Sequence, residues 1–287
     1  SDWSSDVCSS DLYLKGIIKL PHKIEVATID ETIDMLLNTN NSLVRFGDGE
    51  LTVIRGRAIK IQKQQGDISE RLKEVLAYKE DGLEVAIVDM FDGLDIYVPS
   101  TQEFWKDHFL FCSKYYSELT NHTKRYYNAF FSRCYITLND KSKSKNWFEK
   151  IRQIWKGKKI VVVEGTTSKN GVFDDLFADC VSIERVIGPS TSAYEFYDDI
   201  IKKCISMDKD KLFLLSLGPT AKPLALDLHK AGYRVIDIGN LDLEYQFFLN
   251  GVDSKDAVKK EYYDPNSKFY KECMERYNSQ ILYSIER

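Results

Sequence analysis

Four short runs of β-branched and leucine residues constrain the fold of this chain more than any other feature: residues 159–163 (KIVVV), 181–187 (VSIERVI), 212–217 (LFLLSL) and 233–238 (YRVIDI). Residues 193–205 and 219–230, which lie between them, carry their apolar side chains at helical spacing. Continuous apolar strands are buried on both faces, and alternation with amphipathic helices is the signature of a parallel sheet covered on both sides. The first half repeats the pattern more loosely. Ile29, Ile33, Leu36 and Leu37 mark a helix, residues 42–46 (SLVRF) a strand ending at Gly47, residues 67–70 (DISE) a helix start, and residues 84–89 (EVAIVD) a further strand. The predicted fold is α/β and Rossmann-like, a mostly parallel sheet with helices on both faces whose two halves share one sheet or one interface.

Residues 2–12 (DWSSDVCSSDL) resemble the translation of a sequencing-library adapter, so residues 1–12 are set aside as non-native and the native N-terminus is expected to be missing. Residues 13–252 then form the main domain, and residues 253–287, rich in Lys, Glu and Tyr, a peripheral helical tail. Removing the segment's three aspartates from 44 acidic residues leaves 41 against 40 basic ones, a formal charge of −1. Such a balance argues against a protein that coats nucleic acid or an anionic membrane, while local patches leave room for peripheral membrane association. Cys112, Cys134, Cys180, Cys204 and Cys273 are odd in number and show no paired spacing, which reads as reduced thiols in the cytoplasm. No apolar run reaches the roughly 20 residues of a membrane span.

Residues 101–131 are crowded with aromatics and read as helix, with a strand at 134–138. An aromatic stripe is read first as core, with a sugar-stacking wall as the alternative. Residues 141–145 (KSKSK) are the best linker candidate and read as a solvated loop.

In open parallel sheets, ligands gather at the carboxyl ends of the strands, and the polar residues of this chain collect there. Asp48 and Glu50, separated by Gly49 and preceded by Gly47, can turn onto one hard cation, Mn²⁺ or Mg²⁺, that also takes substrate phosphates. Alone, such a pair reads first as a plain acidic turn. Arg45, on the same strand end, suits a phosphate or these acids. Gly218, Pro219 and Thr220 open a helix after a strand, an anion seat by dipole and free N–H groups, with Lys222 adding charge. Lys169 lies in a glycine and hydroxyl loop that lacks the spacing of a phosphate-binding P-loop, and Ser190 caps a helix at the pocket rim. Asn240 follows the last strand, where Asp237, Asp242 and Glu244 are candidates for a general base or second metal ligand. No paired histidine or GxSxG spacing is present, which disfavours a zinc enzyme or serine hydrolase.

These blocks in this order, residues 42–50 (SLVRFGDGE), 172–177 (VFDDLF), 217–221 (LGPTA) and 236–245 (IDIGNLDLEY), resemble the GT-D-fold glycosyltransferases. The resemblance implies a single Rossmann-like catalytic domain that moves a hexose from a UDP-sugar to a glycan or glycoprotein acceptor in bacterial glycan biosynthesis. It also implies a divalent metal, Mn²⁺ or Mg²⁺, held near the diphosphate by Asp48 and Glu50. Four positions depart from the family pattern: Lys169 replaces an arginine, Phe173 and Asp174 a glycine-asparagine pair, and Asn240 a histidine. Lysine lacks the arginine fork, and the loss at Asn240 leaves Asp242 or Glu244 as base. The departures motivate a second reading, a non-catalytic nucleotide-sugar-binding subunit of another transferase; a phosphohydrolase using the same cation is a third.

Overall fold

The computed structural model describes residues 23–120, 124–252 and 263–285; the adapter-like segment 1–12 and the tail residues 253–262 lie outside them. Eight strands form one sheet: β1 (Ser42–Arg45), β2 (Leu83–Ile87), β3 (Tyr127–Asn128), β4 (Lys159–Gly165), β5 (Ser182–Gly188), β6 (Leu212–Ser216), β7 (Arg234–Asp237) and β8 (Ile281–Ser284). Their order is β3-β2-β1-β7-β6-β4-β5-β8 and every pairing is parallel. One sheet thus runs through both halves of the chain.

The central strands are buried along nearly their whole length, as their apolar runs require. One helix group, α1 (Ile29–Asn38), α5 (Ser144–Trp155) and α8 (Leu241–Leu249), packs together. A second comprises α2 (Asp48–Ile54), α3 (Ile68–Leu76), α6 (Tyr197–Ile205) and α7 (Ala221–Lys230), with α7 lying against β1, β6 and β7. The helix starts are set locally. Thr28 caps α1 by accepting from the Glu31 N–H, while Glu31 reaches back to the Thr28 N–H at 2.8 Å.

The aromatic segment differs from its expected form. Helix α4 (Pro99–Leu119) ends early, and the chain turns through β3 and a 3₁₀ turn, Ala129–Ser132, because Asn128 accepts from the Phe130 N–H at 2.9 Å. Residues 134–138 are not a strand, since the Ile136 N–H is satisfied by Glu244 Oε2 at 3.1 Å and not by a neighbouring strand. Residues 141–145 do not separate two domains: Ser144 opens α5 and donates to the Cys134 carbonyl at 2.6 Å. Beyond residue 262 the tail forms α9 (Lys268–Gln280), as expected, but then adds β8 to the sheet beside β5.

A buried network anchors this far side. Arg185 pairs with Glu164 at 2.5 Å and donates to the Asn170 carbonyl and to Gln280 of α9, while Glu164 accepts from both N–H groups of Asn170. It fixes the loop after β4, where Gly171 has φ +63 and a Cβ would stand 2.3 Å from Phe177. Gly157 has a similar φ of +69 with nothing within 4 Å. We expect Gly157→Ala to cost about 1–2 kcal/mol, the left-handed backbone term alone. Gly171→Ala should cost about 1–3 kcal/mol more, from the clash with Phe177. Urea unfolding of the two variants side by side measures the difference.

Candidate active site

A cavity of about 430 Å³ opens at the carboxyl ends of β1, β7, β6 and β4, bounded by the loops that follow β2, β3 and β5. Its polar wall contains Arg45, Asp48, Glu50, Arg133, Lys222 and Asp237. Gly47, Ser190, Gly218 and Asn240 complete the rim.

Lys222 organises the polar wall. Its Nζ lies 2.8 Å from Glu50 Oε1 and 3.0 Å from Asp237 Oδ2, and donates to the Gly218 carbonyl at 3.2 Å. Each carboxylate is held on its other side. Glu50 Oε2 accepts from the Gly47 N–H at 2.8 Å, and Asp237 accepts from the N–H groups of Arg45 and Gly239. Burial disfavours the ammonium, but Asp237 and then Glu50 outweigh it, so the Lys222 pKa stands above that of an ordinary lysine. Burial likewise disfavours the Glu50 carboxylate, and Lys222 reverses the balance and lowers its pKa. Both groups are therefore held charged.

Asp48 stands apart from this triad. It is half-buried on the first turn of α2, its pKa raised by burial and then by Glu50, with Arg133 opposing. Arg45 donates through Nε to the Ala129 carbonyl at 2.9 Å. Its guanidinium lies so close under Gly239, at φ +50, that a Cβ there would stand 2.0 Å from Nη1. Only glycine leaves the guanidinium this room.

The opposite wall is apolar. Trp105 and Phe130 meet edge to face at 5.7 Å and both line the cavity, so the aromatic segment contributes core and wall together. A strap after α2, residues 57–66, brings Ile59 and Ile61 over the cavity; Ile61 is 43% exposed, and both isoleucines pack on glycines of the site, Ile59 on Gly49 and Ile61 on Gly218. The strap is tied across the β5 loop by the Ser192 N–H donating to the Ile61 carbonyl at 2.8 Å.

Eight residues expected at the site converge here: Arg45, Gly47, Asp48, Glu50, Ser190, Gly218, Asp237 and Asn240. Five others lie outside the cavity wall. Asp242 is 1% exposed and holds the β4 loop by accepting from the Gly171 N–H at 2.6 Å, and Glu244 is 3% exposed and holds the Ile136 N–H. Neither carboxylate faces the cavity, which removes both from the position of base. Pro219 is buried, and Thr220 turns its hydroxyl to Gln62 at 3.2 Å, away from any phosphate. Lys169 takes a left-handed turn at φ +47, and its neighbours Thr167 and Ser168 line the cavity in its place. Arg133 and the isoleucine strap were not anticipated; neither carries a spacing signal, since each reaches the site through the turn that presents it.

The donor set bears on a metal. Among the described residues no group of three or more His, Cys, Asp or Glu side chains could hold one. Asp48 offers a carboxylate that faces the cavity without a lysine on it, and Glu50 shares its oxygens with Lys222 and Gly47. Two acids on one helical turn fit a hard cation that draws its remaining ligands from phosphate and water, and not a closed protein cage.

A parallel sheet with a polar cleft at its carboxyl edge defines a Rossmann-like α/β class, whose ligands gather at that edge. Residues 43–266 match the glycosyltransferase GT-D fold family, and this chain belongs to that family. It is 41% identical over 234 residues to a probable glycosyl transferase Gly of Streptococcus gordonii, covering 81% of this chain and 34% of the relative. It is 35% identical over 281 residues to the glycosyltransferase GlyD of Streptococcus pneumoniae serotype 4, covering 96% of this chain and 34% of that protein. The chain thus spans about a third of the length of these relatives. A solved structure described as a new glycosyltransferase from Streptococcus sanguinis superposes with a TM-score of 0.84 at 36% identity, over 92% of this chain and all of the other. Another, described as domain of unknown function 1792 with a distinct glycosyltransferase fold, gives 0.85 at 36% identity, over 92% of this chain and 96% of that one.

Because Lys222 neutralises two buried carboxylates, Lys222→Met should lower unfolding free energy by about 3–5 kcal/mol. Adding Glu50→Gln and Asp237→Asn should recover most of that loss in thermal denaturation, since the uncompensated charges go with it. No recovery would mean that the lysine stem's packing, not its charge, matters there.

Proposed function

We propose that this domain is a metal-dependent glycosyltransferase that moves a hexose from a UDP-sugar to a glycan or glycoprotein acceptor. The observation that carries the reading is the convergence of Asp48, Glu50, Arg45 and the Gly218 helix start on one cavity. That wall holds three carboxylates and three cations, Asp48, Glu50 and Asp237 against Arg45, Arg133 and Lys222, and so has little net charge of its own. A diphosphate entering it is best compensated by a divalent cation that it brings along.

In this reading, Asp48 and Glu50 would hold the cation, whose chemistry would be to offset charge on the departing diphosphate. Lys222 keeps Glu50 ionised and oriented, and it fixes Asp237 against the Arg45 backbone. Arg45 and the opening of the Gly218 helix face the phosphates, where charge increases as the sugar leaves. Trp105 and Phe130 form a face suited to a sugar ring, and the isoleucine strap excludes water above the Gly218 turn. No helix among the described residues is long and apolar enough to cross a membrane. The five cysteines among the described residues are free, which fits action in a reducing compartment such as the cytoplasm.

One observation favours the second reading, a nucleotide-sugar-binding subunit without turnover. With Asp242 and Glu244 buried elsewhere, Asp48 is the one carboxylate of the cavity wall not held by a lysine. Calorimetric titration of UDP with Mn²⁺, and then with chelator, is expected to give metal-dependent binding. Turnover of a UDP-sugar, falling by about 10²–10³ in kcat for Asp48→Asn, separates a transferase from a binding subunit. UDP that binds equally well in chelator would sink the metal's role.

A further inference from the structure

Arg133 is the residue of the cavity that the chain's internal pairing does not explain. The guanidinium groups of Arg71, Arg125, Arg152 and Arg185 each meet a carboxylate. That of Arg133 makes no hydrogen bond or ion pair among the described residues, although the residue is half-buried and lines the cavity. Its placement is firm. The 3₁₀ turn Ala129–Ser132 that precedes it is buried and capped by Asn128, whose own side chain also bonds the Ala27 carbonyl and Asp89.

The same turn holds Arg45, whose Nε bonds the Ala129 carbonyl. One short turn therefore sets two guanidinium groups on the same wall. Burial lowers the Arg45 pKa and, although Asp237 opposes this, the positive charge of Arg133 lowers it further. Asp48 feels the charge of Arg133, with no ion pair between the two side chains. Two like charges held together in a cavity, one of them unpaired, suit an anion that can take a planar fork on each side.

We propose that Arg133 binds the diphosphate of the nucleotide donor, closing a two-arginine clamp with Arg45. The assignment rests on the reading of this cavity as a nucleotide-sugar site, and it adds a residue and a ligand chemistry to it. Both arginines line the same cavity as Asp48 and the Gly218 turn.

The test compares wild type, Arg133→Gln and Arg133→Lys by calorimetry with two probes, UDP and inorganic pyrophosphate, each with Mn²⁺. Because the side chain has no internal partner, both variants should unfold at the wild-type temperature. Arg133→Gln should weaken both probes by about 10–100-fold, the loss of one or two charge-assisted bonds. Arg133→Lys should recover part of it, a point charge in place of the fork. If wild type binds both probes and Arg133→Gln binds them as well as wild type does, the clamp is wrong. If pyrophosphate binding depends on Arg133 but wild type gains nothing from the uridine, the clamp stands and the UDP-sugar reading fails. If wild type binds neither probe, both fall.

Discussion

A buried ammonium between two buried carboxylates holds the site together. Lys222 belongs to α7, Glu50 to α2 and Asp237 to the end of β7, so one cation fixes the relative positions of three elements at the cavity. A buried ion group of this kind is weak evidence for stability, because desolvation offsets most of the attraction. Its physical consequence here is orientation. With Lys222 in place, Glu50 cannot swing away from the first turn of α2, and Asp48, two residues earlier, is left as the acid that faces the open space.

The same interaction explains why the site was only partly legible in the sequence. The parallel sheet was readable because strands buried on both faces leave long apolar runs, and the cavity lies where such a sheet places ligands. Arg45, Asp48, Glu50 and Asp237 were readable because each ends a strand or starts the turn after it. Asp242 and Glu244 look no different by that criterion. What separates them is the direction of each side chain and a partner far away in the chain, the Gly171 N–H for one and the Ile136 N–H for the other. An acid next to a strand end serves a ligand or an orphaned backbone donor, and local spacing does not distinguish the two.

The glycines mark the same boundary between local and long-range information. In the segment Gly47-Asp48-Gly49-Glu50 a turn is evident, yet Gly49 is needed for a different reason: Ile59 of the strap packs where its side chain would be. Gly218 lies under Ile61 and Gly239 over Arg45 in the same way. Three glycines that read as flexible turn residues are thus contact surfaces, each making room for a group delivered by another part of the chain. The strap itself has no strand or helix pattern, which is why its two isoleucines gave no signal.

Charge arrangement rather than shape then separates the two ends of this cavity's polar wall. Around Lys222 every carboxylate oxygen pair is engaged by donors, so that end is internally compensated. Toward β3 the arrangement is less complete: Asp48 and Arg45 both feel the charge of Arg133, and no ion pair joins Asp48 to Arg133. Under the proposed reading, a cation at Asp48 and an anion at Arg133 would both sit at this end of the cleft. The internally satisfied triad supplies the rigid frame, and in that reading the less satisfied pair would supply the affinity.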